Sequence, residues 1–368
     1  MRIGILTFHN ALNQGAVLQA YALQHYLQGQ GHTVEFINYC PEKCYTWRDF
    51  VAKSWAQWTK KIRNNINGIK YRWQDNFSKI LDCSSHKYHS YDELFKNPPK
   101  YDLYICGSDQ VWHFPRNLNP VFLFDFLPDG SNVISYAASL GQHLPPENLQ
   151  AHFKASLSRF KAISVREANG ANFISNLFEG KREIYHVLDP TLLLPATAYE
   201  KIAEPVKVTP NGYIASYILT ILEPAHEAIL KEVEEYYGLK IVNLRNPDTC
   251  EYVSGHENRI VTPTQWLTYI KNSKAVVCSS FHAVVFSVLF HKPFVVLQTT
   301  MMKKSGGNLR VVQFLEPLGL SHHCIYNVEH DNVREILSEQ VNWEHIDNKI
   351  EQMSIYSKKF LDSYVETI

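Results

Sequence analysis

Apolar runs of strand length recur along the chain. They alternate with stretches whose apolar residues return every three to four positions, the pattern of βα repeats. Arg2–Phe8 predicts a strand and His9–Gly15 a polar loop. A helix follows from Ala16 to Gln28, with Ala16, Ala20, Leu23 and Leu27 on one face. Gly31 ends it, and Thr33–Tyr39 predicts the second strand, completing a βαβ opening of Rossmann type. Further strands are predicted at Tyr101–Cys106, Asn132–Ala138, Ala162–Val165 and Val187–Leu193, with a helix over Pro145–Lys161. Residues 195–210 lack a pattern and hold Pro195, Pro205 and Pro210, which reads as a linker. A second α/β unit then begins, with strands Tyr213–Leu219 and Lys240–Leu244 and a helix over Pro224–Tyr237. Thr262-Pro263-Thr264-Gln265 is a capping-box start for another helix through Asn272. Ala275–Leu297 reads as strand, tight turn, buried helix and strand. Leu320–Val328 is expected to end the sheet, and Asn342–Ile368 predicts a long terminal helix. The pattern therefore predicts an α/β chain of two Rossmann-like domains, 1–200 and 211–340. The helix 341–368 could cross back to the first domain.

One region breaks the alternation. Trp47, Val51, Trp55, Trp58, Ile62, Ile66, Ile69, Trp73, Phe77 and Ile80 form a continuous helical stripe inside a 41–100 insertion. Lys53, Lys60, Lys61, Arg63, Lys70 and Arg72 lie off that stripe, and Asn64-Asn65 and Asn67-Gly68 divide it into two helices. A basic amphipathic helix with tryptophans can lie on an anionic membrane surface. It can equally pack on its own domain or on a partner subunit.

Composition narrows the class without choosing a function. The chain has 368 residues, 45% hydrophobic and 20% charged, as a soluble globular protein of two domains would. Lys+Arg and Asp+Glu balance at 36 each, so there is no electrostatic case for nucleic acid. Seven cysteines are scattered without a CxxC pair, which fits a reducing compartment and argues against a zinc site. The N-terminal apolar run is too short for a signal peptide, and no apolar run approaches a membrane span, so a cytoplasmic protein is expected.

Candidate chemistry sits where predicted strands end, the edge at which open α/β sheets hold ligands. The loop after the first strand carries one glycine and no GxGxxG, so a dinucleotide fingerprint is absent; Asn13 and Gln14 are its best hydrogen-bonding side chains. Cys106 runs into Gly107-Ser108-Asp109-Gln110, where Asp109 could act as a base or simply cap a turn. Arg166 leaves an apolar strand. Its fork could clamp a carboxylate or phosphate, or it could pair with Glu167 or Asp189 and do no chemistry. Ser279 and Ser280 offer hydroxyls at the start of the buried helix, and His282 is its polar exception. A helix N-terminus favours an anion, and an imidazole there can bind it or move a proton beside it; the plain alternative is a packed histidine. Lys303, Lys304 and Arg310 belong to a basic, glycine-bearing loop that could hold a phosphate or be plain surface.

Taken in order, NQGAVLQAYALQHYL, ICGSDQVWH, SYAASLG, ISVRE, VLDPTLLL, SSFHAVVFSVLFHKPF, the arginine of GNLR and the LGL at Leu318–Leu320 resemble the polysaccharide pyruvyl transferase family. The resemblance runs from the first strand to about Leu320. It implies a fold of two Rossmann-like domains facing a cleft, like the GT-B glycosyltransferases. It also implies transfer of the enolpyruvyl carbons of phosphoenolpyruvate onto two sugar hydroxyls as a pyruvate ketal. In that scheme His282 is the general acid or stabilises the departing phosphate, and Asp109 is a base for a sugar hydroxyl. Arg166, Arg310, Lys303 and Lys304 clamp the donor, while Asn13, Gln14, Ser108, Gln110, Ser279 and Ser280 line the substrates. The scheme needs neither a cofactor nor a metal. Its partners are phosphoenolpyruvate and a glycan acceptor, free or lipid-linked, which would place the protein in the cytoplasm, at the inner face of the membrane in the lipid-linked case. Where the family's histidine block usually reads TDSFHG, this chain has Ser279 for the aspartate and Ala283 for the final glycine. Two other functions fit such a chain: a nucleotide-sugar glycosyltransferase of the same architecture, and a non-catalytic scaffold in polysaccharide assembly docked through 47–80.

Overall fold

The computed structural model describes residues 1–41, 76, 79–113, 119–141, 144–207, 211–219, 222–246, 252–299, 308–325 and 333–367. The aromatic and basic stripe of 47–80 falls almost wholly outside the described residues. The chain divides into two compact units. Met1–Leu12, Gln19–Pro190 and Lys359–Ile368 form unit 1, and Asn13–Leu18 with Thr191–Lys358 form unit 2.

Unit 1 contains β1 (Arg2–Leu6), most of α1 (Gln14–Gly29), β2 (Thr33–Tyr39), β3 (Cys83–Tyr88), α2 (Tyr91–Lys96), β4 (Leu103–Cys106) and β5 (Val133–Ser135). After these come α3 (Glu147–Ser158), β6 (Ser164–Val165), α4 (Ala168–Leu177) and β7 (Tyr185–His186). The main sheet runs β3-β2-β1-β4-β5, every pair parallel, and β6 pairs with β7. β1 and β4 are apolar on both faces because helices cover a parallel sheet on both sides. The core packs aromatic edges onto faces, as where Trp112 meets Phe153 with centroids 5.6 Å apart. The last residues of the chain also belong here. Phe360 lies 4.7 Å from the Tyr185 ring, and Tyr26 Oη donates to the Asp362 carboxylate at 2.9 Å.

Unit 2 contains α5 (Ala196–Glu200), β8 (Ile214–Tyr217), α6 (Pro224–Tyr237), β9 (Ile241–Arg245), β10 (Glu257–Ile260), α7 (Pro263–Asn272), β11 (Val276–Cys278) and α8 (Phe281–Leu289). It continues with β12 (Phe294–Leu297), α9 (Leu309–Leu315), β13 (Cys324–Ile325), α10 (Val333–Ser338) and most of α11 (Trp343–Glu366). The sheet order is β10-β9-β8-β11-β12-β13, again all parallel. The Thr262 capping box forms as the sequence predicts, with Pro263 in the first turn of α7. α8 is buried on every side from Phe281 to Val288, which its all-round apolar sequence demands.

Several expectations are corrected. The proline-bearing 195–210 stretch is not plain linker: it holds α5, where Tyr199 is fully buried and packs on Phe286 at 4.8 Å. β3 and β10, which no apolar run announced, are the outer strands on one side of each sheet. The strand expected at Asn132–Ala138 shortens to β5 plus an isolated bridge from Ala138 to Val165. Among the described residues of 320–328, only β13 is strand, preceded by a 3-10 turn at Ser321–His323. Among the described residues, no helix is long and apolar enough to cross a membrane.

Both sheets reverse direction once. In unit 1 the order grows outward from β1 through β2 to β3, then β4 starts on the other side of β1. In unit 2 it grows from β8 through β9 to β10, then β11 starts on the other side of β8. A reversal of this kind leaves a crevice at the strands' C-terminal ends, where open α/β sheets bind ligands.

Candidate functional site

In unit 1 the crevice is flanked by the loops after β1 and β4. Thr7 bridges them: its hydroxyl donates to the Ser108 carbonyl at 2.7 Å and accepts from Gln19 Nε2 at 3.1 Å. Gln19 Oε1 in turn accepts the Ser108 N–H at 3.2 Å. The β4 loop turns at Gly107, whose φ of +116° suits glycine, and a Cβ there would meet the Tyr136 carbonyl at 2.4 Å. This turn carries Ser108 and Asp109 to a buried ionic cluster. Arg166 Nη1 lies 2.6 Å from Asp189 Oδ2, its Nε 3.1 Å from Glu167 Oε1 and its Nη2 3.9 Å from Asp109 Oδ1. Ser139 donates to Glu167 at 2.7 Å, and Ser108 Oγ lies 2.9 Å from the Ala137 carbonyl and 3.4 Å from Asp189. Burial alone would push the Arg166 pKa down; Glu167, Asp189 and Asp109 outweigh it and raise it above the ordinary arginine value.

That cluster corrects the reading of Arg166 as a donor clamp. Of the two roles open in the sequence, pairing with Glu167 and Asp189 is the one the structure shows. One guanidinium faces three carboxyl groups, so its fork is already engaged within the protein. Asp109 is its accessible end: its side chain is 17% exposed, against 3% or less for the other three. Gln110 is likewise only partly buried.

In unit 2 the crevice lies between the ends of β8 and β11. Ser279 bridges it by accepting the Leu219 N–H at 2.9 Å. Asn308 Nδ2 donates to the Ser279 carbonyl at 3.2 Å, and the Asn308 N–H donates to Gln298 Oε1 at 3.0 Å. Ser280 stands at the N-cap of α8 but makes no side-chain cap bond. His282 is buried in the first turn, with its ring edge-on to Phe281 at 5.2 Å. The Asn13–Leu18 segment packs on the same edge. Gly15 comes so close to the imidazole that an added Cβ would meet His282 Nδ1 at 2.1 Å and Cγ at 2.4 Å.

The neighbouring Gln14 is fully buried and fully used. Its Oε1 accepts from Tyr217 Oη, and its Nε2 lies 3.3 Å from the Val261 carbonyl and 3.5 Å from that of Arg245. The expectation that Gln14 hydrogen-bonds a ligand is therefore corrected: it pins the segment that carries Gly15. Asn13 caps α1 by accepting the Ala16 N–H at 3.2 Å. Sequence reasoning passed over Arg245, which ends β9 buried with its guanidinium 5.7 Å from the Tyr252 ring centre. The signal was present, since KIVNLR delivers an arginine at an apolar strand's exit just as AISVR does for Arg166. Arg310 lies in the first turn of α9, partly buried. Lys303 and Lys304 fall outside the described residues. Burial pushes the Cys106 and Cys278 thiols far up, so neither is a thiolate nucleophile.

Comparison with known proteins adds a family and a fold. A family model described as polysaccharide pyruvyl transferase matches residues 13–299. Against curated protein sequences there is no significant match. Among solved structures, the chain is similar to a UDP-N-acetylglucosamine 2-epimerase from Rickettsia bellii, with a TM-score of 0.57 and 10% identity over 100% of this chain and 96% of that one. It is also similar to the spinosyn forosaminyltransferase SpnP, with a TM-score of 0.51 and 11% identity over 99% of both chains. The glycosyltransferase SnogD from Streptomyces nogalater gives 0.50 and 11%, again over 99% of both. At such identities these likenesses show the fold, the two-unit α/β architecture of GT-B glycosyltransferases and epimerases.

Proposed function

The chain belongs to the polysaccharide pyruvyl transferase family, and from that membership we propose that it moves the enolpyruvyl group of phosphoenolpyruvate onto two hydroxyls of a sugar as a pyruvate ketal. The observation that carries this reading is the unit 2 crevice. His282 and the Ser279 and Ser280 hydroxyls stand at the N-terminus of α8, at the C-terminal edge of a parallel sheet, and Arg245 ends β9 at that same edge. Phosphoenolpyruvate carries a phosphate and a carboxylate, the ligand chemistry that a guanidinium, an imidazole and first-turn N–H groups suit.

In the proposed reaction a proton goes to the methylene carbon and makes it a methyl group, and C2 becomes electrophilic. The first sugar hydroxyl adds to C2 and gives up its proton. The C2–O bond to phosphate then breaks, with the electron pair leaving on phosphate, and the second hydroxyl adds and loses its proton. His282 is proposed to deliver the first proton or to stabilise the leaving phosphate. Asp109 is proposed to take a hydroxyl proton, with Gln110 as a further hydroxyl partner and Arg166 to hold Asp109 rather than the donor; the expectation that Ser108 lines the substrate is corrected, since it is fully buried with its hydroxyl on the Ala137 carbonyl. Arg310, with Lys303 and Lys304, is the remaining cationic contribution to the donor.

Thermal stabilisation by ligand tests the reading, because a ligand that binds only the folded state raises Tm by mass action. Phosphoenolpyruvate is expected to raise Tm in the wild type, and the shift is expected to fall in Arg310→Ala. At a hundredfold excess over Kd the stabilisation is about 2.7 kcal/mol. A shift with UDP- or GDP-sugars and none with phosphoenolpyruvate would replace this reading by the glycosyltransferase one.

A further inference from the structure

At the opposite edge of the unit 2 sheet, where β12 begins, three ligand-type side chains converge away from the crevice. His323 is almost fully buried, at 1% exposed, and its Nδ1 lies 2.9 Å from the Phe294 carbonyl. A carbonyl only accepts, so Nδ1 carries the hydrogen and Nε2 of the neutral ring is a bare lone pair. That lone pair faces Glu339 Oε2 at 3.1 Å, another acceptor. The same carboxylate oxygen lies 2.7 Å from His322 Nε2. One ligand atom from each of the three residues falls within 4.8 Å of the others. Two facing acceptors need a cation between them, either a proton on the ring or a metal ion.

We propose that His322, His323 and Glu339 bind a divalent transition-metal ion of the zinc class. Two imidazoles and one carboxylate are a borderline-soft donor set suited to such ions. Zinc–nitrogen bonds of about 2.0–2.1 Å put tetrahedral ligand atoms about 3.3 Å apart, so the pairs at 2.7 and 3.1 Å would open by about 0.6 and 0.2 Å while the two imidazole nitrogens, within 4.8 Å of one another, draw together as the exposed His322 ring swings in. The Phe294 carbonyl supplies the orienting bond that metal-ligating histidines ordinarily make through the second ring nitrogen. His322 is half exposed, which leaves a coordination position for water. The scattered cysteines led to the expectation of no zinc site; the proposed site departs from that expectation because it is built from imidazole and carboxylate. Its position, joining the 3-10 turn before β13 to the chain just past α10, makes it a brace for the β13 edge of unit 2.

The test is Co²⁺ titration of the chelator-stripped full chain, read as visible d–d absorption, with Zn²⁺ displacement and Tm measured in parallel. About one equivalent is expected to bind and be displaced by Zn²⁺, with Tm rising in the wild type. His322→Ala and Glu339→Gln change partly exposed side chains, and each is expected to weaken binding by tenfold or more and abolish the Tm rise, with the metal-free Tm of each variant reporting whether it folds. Equal Co²⁺ affinity in wild type and both variants would overturn the site, as would the absence of d–d bands; the third member of each contact would then be a proton.

Discussion

Each crevice is bridged by a hydroxyl, Thr7 reaching Ser108 in unit 1 and Ser279 receiving Leu219 in unit 2, yet the two frames hold different groups. The unit 1 crevice presents carboxylates, three around one arginine, with Asp109 at the accessible end. The unit 2 crevice holds His282 and the Ser279 and Ser280 hydroxyls, and Arg245 ends the neighbouring β9. Both contain an arginine that leaves an apolar strand, and the position alone does not say what it does. Arg166 is ringed by Glu167 and Asp189, while the Arg245 guanidinium lies 5.7 Å from the Tyr252 ring centre and its carbonyl meets Gln14. The lesson is that a strand exit fixes where a side chain can act, and its neighbours fix whether it meets a cation or an anion.

The largest expected effect tests that contrast at Arg166. Arg166→Met would leave Glu167 and Asp189 buried without their cation. Removing one partner of a buried ion pair costs about 3–5 kcal/mol, because the remaining charge is uncompensated. Denaturant titration is expected to show that loss in stability. If Arg166→Met instead melted near wild type and lost only its phosphoenolpyruvate-induced Tm shift, Arg166 would be a donor clamp and the division between the crevices would fail.

Much of this plan was legible in the sequence because buried parallel strands are apolar runs and their ends carry the polar exceptions. β1, β4, β8, β11 and α8 all announce themselves that way. The strands that escaped are CSSHKY and ENRI, β3 and β10. Each has a neighbour on one side in its sheet and keeps polar, exposed residues, so it has no apolar period to read. The site was legible as residue types near strand ends, not as pairings. Whether Arg166 meets Asp189 depends on a contact 23 residues apart, and whether Gln14 is available depends on Tyr217, more than 200 positions away. Side-chain periodicity carries no record of such long-range partners.

A smaller effect is expected at Gly15, which lies against His282. Alanine in the first turn of α1 would gain up to about 1 kcal/mol of helix propensity. It would also drive a methyl into the imidazole at its Cγ and Cβ, which cannot swing aside as a flexible tip could. Overpacking of this kind costs about 1–3 kcal/mol, so the net change is a loss. Gly15 is a positioning residue on this reading. Gly15→Ala is expected to lower kcat for phosphoenolpyruvate-dependent phosphate release on a hexoside panel more than it raises KM, since the ring that moves the proton is displaced. An unchanged kcat with lowered stability would make the contact merely structural and would weaken the case for His282.

The smallest effect is the pH response of a histidine beside the unit 1 crevice. His9 follows β1 in unit 1, buried, its ring stacked on Phe36 at 5.4 Å and its Nδ1 3.2 Å from the Thr7 carbonyl. Burial pushes its pKa below the ordinary 6.5, more strongly than Thr7 and Asn38 pull it up. Between 6.5 and that lower folded value, the unfolded chain binds a proton that the folded chain refuses. The His9 contribution is therefore complete above pH 6.5 and is lost as pH falls towards the folded pKa, with a slope of at most about 1.4 kcal/mol per pH unit. His9→Gln is expected to flatten the stability profile below pH 6.5 by up to that slope, measured as the difference between wild-type and variant denaturation curves at pH 7.5 and 5.5. Parallel curves would mean that His9 charges inside the folded unit 1 crevice. Its acids would then be close enough to stabilise an imidazolium, and the crevice would be more strongly anionic than the Arg166 cluster alone makes it.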